Sequence, residues 1–80
     1  MNQNEKLSAE VASLVESVVV RPVSHDEPLL ENGLVDSVLA VEIVIGVETQ
    51  FGVQIPPTEI AEHLASVDAL CEYVAAQRED

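Results

Sequence analysis

Asp36-Ser37-Val38-Leu39-Ala40-Val41-Glu42-Ile43-Val44-Ile45-Gly46-Val47-Glu48-Thr49-Gln50-Phe51-Gly52 is the stretch that decides the fold. Two good N-cap residues open it, a glycine closes it and no proline interrupts it, so the pattern predicts a helix from Asp36-Ser37 to Phe51. Ala40, Val44, Val47 and Phe51 repeat at i, i+4, i+7 and i+11 with Ile43 beside them, which is the stripe expected to face a core. Val38, Val41 and Ile45 repeat at i, i+3 and i+7 on another side, interleaved with Glu42 and Glu48. A chain of 80 residues cannot easily bury both sides of one helix. One stripe is expected inside; the other, apolar and rimmed by carboxylates, is expected outside as a docking face.

Upstream, Leu7, Val11, Leu14, Val15, Val18 and Val19 mark one face of a helix over about 5–19, ended by Pro22. The competing reading is a strand through Val18-Val19-Val20, because β-branched residues are poor helix formers. From Pro22 to Asp36, two prolines and Asn32-Gly33 interrupt any periodicity, and a long ordered loop pinned by Leu29, Leu30 and Leu34 is expected. Downstream, Pro56-Pro57 breaks the chain and Thr58 is placed to cap a short helical turn through His63. Ser66 then reads as the N-cap of a last helix with Val67, Leu70, Cys71 and Val74 on one face. The polar tail from Gln77 to Asp80 is expected to fray. The fold class is therefore all-α: a small four-helix bundle, three main helices and one short, with a long loop between the first two. Residues 1–80 read as one domain with an ordered core over about 5–77.

Composition narrows the function. Apolar residues make up 48%, too many for a disordered chain, while 15 carboxylates against three Lys and Arg give a net charge of −12. Between Pro22 and Gln77 there is no Lys or Arg and there are ten Asp and Glu, which argues against a nucleic-acid or anionic-membrane partner. Basic protein surfaces are the natural counterpart. The single cysteine, Cys71, excludes an intrachain disulfide, and no Cys/His cluster or calcium-loop pattern points to a metal. Met1-Asn2-Gln3-Asn4-Glu5-Lys6 lacks a charged-then-apolar layout, and no apolar run approaches the ~20 residues of a membrane span. A cytoplasmic monomer is the expectation.

Ser37 is the residue that could carry chemistry. Its hydroxyl, or the carboxylate of Asp36, could cap the helix, a contribution of ~1 kcal/mol. Only one cap is needed, so if Asp36 serves, the Ser37 oxygen is left toward solvent. An anionic group esterified there would sit at the positive end of the helix. His25 and His63 are remote in sequence and no lysine stands nearby, so Ser37 is not read as a self-activated nucleophile. Modification by another enzyme remains, and no catalytic residue is assigned to this chain. A small acidic helical adaptor without a prosthetic group is the other function class compatible with these observations.

Pro28-Leu29-Leu30-Glu31-Asn32-Gly33-Leu34-Val35-Asp36-Ser37-Val38, followed by Val41-Glu42-Ile43 and Phe51-Gly52-Val53-Gln54-Ile55-Pro56, resembles the acyl carrier protein family. The resemblance implies that Ser37 receives 4′-phosphopantetheine from coenzyme A and that Asp36 helps a phosphopantetheinyl transferase to recognise the site. It implies that Val38, Val41, Glu42, Ile45 and Glu48 form the face that partner enzymes read. Those partners would be the transferase, a loading enzyme (an adenylating ligase or an acyltransferase) and downstream synthases with basic docking surfaces. Cargo would travel as a thioester on the arm. Leu39 stands where fatty-acid-type carriers commonly have an acid, and Thr49 and Gln50 dilute the acids at the helix end. Gly33-Leu34-Val35-Asp36-Ser37 looks similar to D-alanyl and other free-standing aminoacyl carriers, so aminoacyl or polyketide-type cargo is favoured over fatty acyl.

The remaining polar residues are given structural roles: Cys71 a buried small hydrophobe, His25 and His63 boundary residues, and Tyr73 an aromatic at the core edge.

Overall fold

α1 (Gln3–Val19) forms because its apolar residues return every three to four positions. Leu7, Val11, Ala12 and Val15 are buried, while Leu14, Val18 and Val19 pack half-buried around them. The structure is a computed structural model describing residues 3–78. Val18 and Val19 are helical and packed against the core, so tertiary contact overrides their β preference. α1 ends at Val19, as expected, and the turn out of it falls at Val20, ahead of Pro22. Val20 has φ 60°, and its N–H donates to Glu16 O at 2.8 Å. A β-branched residue in this left-handed region is strained by roughly 1–2 kcal/mol. Val20 is 84% exposed, so packing does not offset the strain. Val20→Gly should therefore raise stability by about 0.5–1 kcal/mol in urea unfolding, after the extra chain entropy of glycine is subtracted. A loss of stability would show that the valine side chain contributes a contact.

α2 (Ser37–Phe51) buries Ala40, Ile43 and Val47. The inward stripe is thus centred on Ile43, which is fully buried, with Val44 and Phe51 half-buried at its edges. A helix in a small bundle buries a narrow arc, and 40, 43 and 47 are its centre. Gly52 ends α2 with φ 70°, where a side chain would be strained, and its N–H caps Glu48 O at 3.0 Å.

Thr58 does not cap the next element. Pro57 begins a 3₁₀ turn (Pro57–Glu59) with no side-chain cap, its missing N–H and fixed φ suiting a first helical position, and the turn runs into α3 (Ile60–His63). Ser66 does cap α4 (Val67–Arg78), its Oγ accepting from Ala69 N–H at 3.1 Å. Val67, Leu70 and Val74 are buried, but Cys71 is only half-buried at the edge of that face. Burial and the nearby Asp68 carboxylate push the Cys71 thiol up from its ordinary pKa. Gln77 and Arg78 are helical, Arg78 lying 5.7 Å over the Phe51 ring; the rest of the tail expected to fray, Glu79-Asp80, lies outside the described residues, as does Met1-Asn2.

The result is an all-helical four-helix bundle in which α1 packs against both α2 and α4. No helix among the described residues is long and apolar enough to cross a membrane.

Candidate functional site

The chain enters α2 through a loop held from both sides. Leu29 and Val35 are buried, as is Val23, whereas Leu30 and Leu34 are only half-buried, so the anchoring apolar residues include two, Val23 and Val35, that no periodicity marks. Leu29 N–H donates to Ala65 O at 2.9 Å, and Asp68 N–H donates to His25 O at 2.9 Å, tying the loop to the α3–α4 junction. The last turn before the helix closes through Asn32 N–H to Pro28 O, Gly33 N–H to Leu30 O and Val35 N–H to Leu29 O. Gly33 takes φ 73°, which glycine adopts without a Cβ penalty. Two carboxylates hold the earlier part of the loop. Glu16 accepts from Val23 N–H at 2.9 Å, and Glu27 accepts from Ser24 N–H, Arg21 and the Asn32 amide at 3.3–3.5 Å. A charged residue bonded to a distant backbone leaves no local pattern, so neither Glu16 nor Glu27 was marked in the sequence.

Asp36 is the N-cap of α2, with extended backbone and a side chain accepting from Leu39 N–H at 2.9 Å. The choice between two adjacent caps is thereby decided. Ser37, the first helical residue, is exposed, and its hydroxyl is left to solvent at the end of the helix where backbone N–H groups point outward. Asp36→Ala should cost about 1 kcal/mol in chemical denaturation, and Asp36→Asn much less, because asparagine caps nearly as well. Equal losses in both would mean the cap bond is not what Asp36 contributes.

Val38 is 65%, Val41 52% and Ile45 55% exposed, along one side of α2 beginning next to Ser37. Glu42 and Glu48 are exposed as well, and Glu48 accepts from the Gln54 amide at 3.0 Å. The structure thus brings Asp36, Ser37, Val38, Val41, Glu42, Ile45 and Glu48 onto the accessible surface of a single helix and its cap.

The two histidines lie elsewhere. His25 Nδ1 is 3.1 Å from Ser8 Oγ and 4.0 Å from Asp68 Oδ1, so both neighbours approach the same ring nitrogen. A serine–histidine–carboxylate relay needs them on opposite nitrogens. His63 stacks on Tyr73 at 3.9 Å and pairs with Glu59 at 2.9 Å, while Tyr73 OH donates to Gln54 O at 2.8 Å. A groove of about 400 Å³ runs between α3 and α4, lined by Glu62, His63, Ala69, Glu72 and Tyr73, and includes neither Ser37 nor the α2 stripe.

Residues 5–74 match the protein family described as "Phosphopantetheine attachment site". A D-alanyl carrier protein of Streptococcus sanguinis (strain SK36) is 33% identical over 55 residues, covering 66% of this chain and 70% of the relative. The chain belongs to the phosphopantetheine-bearing carrier protein family, whose covalent group is 4′-phosphopantetheine. An accessible serine hydroxyl on a fixed helix start, with an immobilised loop leading to it, suits covalent attachment of a long arm.

Proposed function

We propose that this protein is a carrier to which 4′-phosphopantetheine is attached at Ser37, and that it presents an acyl or aminoacyl group to partner enzymes. What supports Ser37 above all is that Asp36 makes the cap bond, leaving the adjoining hydroxyl accessible in a chain of this family. A phosphopantetheinyl transferase supplies the base. The Ser37 oxygen displaces the nucleotide half of coenzyme A, a phosphodiester forms, and the hydroxyl proton passes to the transferase. Once attached, the arm's terminal thiol holds the cargo as a thioester.

The chain's own residues do the rest. Asp36 fixes the start of α2, and the bonds from Leu29 and His25 to the α3–α4 junction keep the loop before it in place. Val38, Val41, Glu42, Ile45 and Glu48 form the face that the transferase, a loading enzyme and later enzymes read in turn. The carrier is not itself an enzyme and acts as a monomer in the cytoplasm.

The likeness to a D-alanyl carrier, together with Leu39 two residues after Ser37, favours a small aminoacyl cargo over a fatty acyl chain. Incubation with coenzyme A and a broad-specificity transferase should raise the intact mass by one phosphopantetheine. The modified chain should then accept D-alanine from the enzyme that loads D-alanyl carriers, and not a long acyl chain from a fatty acyl loading enzyme. The reverse preference would overturn the cargo assignment alone. An unmodified, folded chain would favour the acidic adaptor without a prosthetic group.

A further inference from the structure

Glu27 is set apart from the solvated acids of this chain. A carboxylate on a solvated face needs no protein partner, yet the Glu27 side chain is only 18% exposed and meets three donors. Its Oε1 accepts from Ser24 N–H at 3.3 Å, and its Oε2 accepts from Arg21 at 3.5 Å and from the Asn32 amide at 3.4 Å. The chain has three Lys and Arg against 15 carboxylates, and one of the three stands here. Arg21 is aimed as well, because its Nε donates to Pro22 O at 3.2 Å.

The three donors come from opposite ends of the loop. Arg21 and Ser24 lie where the chain has just left α1. Asn32 lies in the turn closed by Asn32 N–H to Pro28 O and Gly33 N–H to Leu30 O, shortly before the Asp36 cap. Resting on the carrier reading, we infer that Glu27 is a positioning residue for the modification of Ser37: it staples the start of the loop to the turn that feeds α2, so that the Ser37 hydroxyl is held in place when a transferase engages it.

A residue at the first position of a helix has no preceding turn to hold it, so its order rests on the cap and on the chain that feeds the cap. Bonds of 3.3–3.5 Å are long and individually weak, but these three share one charged acceptor and are lost together when it is removed. Glu16 offers the comparison. Its bond to Val23 N–H, at 2.9 Å, is shorter and reaches no further than the start of the loop. Loss of Glu16 should therefore act on stability, and loss of Glu27 on the rate at Ser37, because a reacting atom misplaced by ~1 Å can slow a reaction by up to about 10²-fold.

The test follows transfer of phosphopantetheine from coenzyme A to the full chain by a broad-specificity transferase, the chain concentration being varied to separate kcat from KM. Glu27→Ala should lower kcat about tenfold while KM changes less than about threefold, with circular dichroism showing parent helicity. Asn32→Asp, which sets a second carboxylate against Glu27, should lower kcat similarly. Glu27→Gln combined with Asn32→Asp exchanges donor and acceptor, the glutamine amide now donating to the aspartate, and should return kcat to within about threefold of the parent. Glu16→Ala should lower the urea midpoint and leave kcat within about twofold of the parent. A folded Glu27→Ala chain with the parent kcat, equal slowing by Glu16→Ala, or a double variant no faster than Asn32→Asp alone would each overturn the inference. Should Glu27→Ala unfold, Asn32→Asp and its rescue decide the matter. Failure of the wild-type chain to gain phosphopantetheine overturns the carrier reading instead, and this inference with it.

Discussion

Ser37→Ala will take up no phosphopantetheine and will fold as the parent does. The loss of modification is expected to be complete because the substitution removes the oxygen proposed to form the phosphodiester. The fold should tolerate it because Asp36, not Ser37, accepts the Leu39 N–H bond at the start of α2. Alanine is also the better helix former by a few tenths of a kcal/mol, so stability should move by no more than ~0.5 kcal/mol in either direction. Ser66 supplies the contrast. Its hydroxyl does cap a helix, accepting from Ala69 N–H at 3.1 Å, so Ser66→Ala should cost about 1 kcal/mol while leaving the mass gain intact. Intact-mass spectrometry and urea unfolding of the two variants thus separate a serine used for attachment from one used for structure. Persisting modification of Ser37→Ala would place the arm on another residue.

Both serines stand at the head of an apolar helix, and from the local pattern they are alike. What distinguishes them is the neighbour: Asp36 precedes Ser37 and takes the capping role, whereas Ala65 precedes Ser66 and cannot. The sequence showed two candidate caps before α2 and one before α4, and it took the bond from Leu39 N–H to choose Asp36. The helix spans were legible, their apolar positions recurring with helical period between good caps and breakers. The exposed side of α2 was legible too, since a single helix in a small bundle has one face to bury.

The parts that escaped depend on distant chain segments. Leu29 N–H meets Ala65 O, His25 O meets Asp68 N–H and Tyr73 OH meets Gln54 O, all between residues at least 19 positions apart. Glu16 looks like one more solvated acid on a helix, and only the folded loop shows it bonded to Val23 N–H. The conformation of Val20 was not marked in the sequence for a related reason. Its left-handed backbone is imposed by the turn that α1 must make before the loop, against the preference of the residue itself.

Ile43→Ala should cost about 2–5 kcal/mol, whereas Ile45→Asp, two residues along the same helix, should leave helicity intact. Ile43 is fully buried in the cluster that includes Val11 and Val15 of α1 and Leu70 and Val74 of α4, so truncation leaves a cavity where the helices meet. A domain this small commands a total stability of roughly 5 kcal/mol, so the variant is expected to be partly or wholly unfolded at room temperature. Ile45 is 55% exposed and loses little by becoming polar, beyond the lower helix propensity of aspartate and one more negative charge. Its effect should appear instead when an enzyme must be engaged, as slower modification of Ser37 by the transferase. Circular dichroism with urea unfolding reads the first effect, and the rate of mass gain reads the second. If Ile45→Asp unfolded the chain, or Ile43→Ala cost less than about 1 kcal/mol, the inner and outer faces of α2 would be wrongly assigned and the docking surface would have to be sought elsewhere.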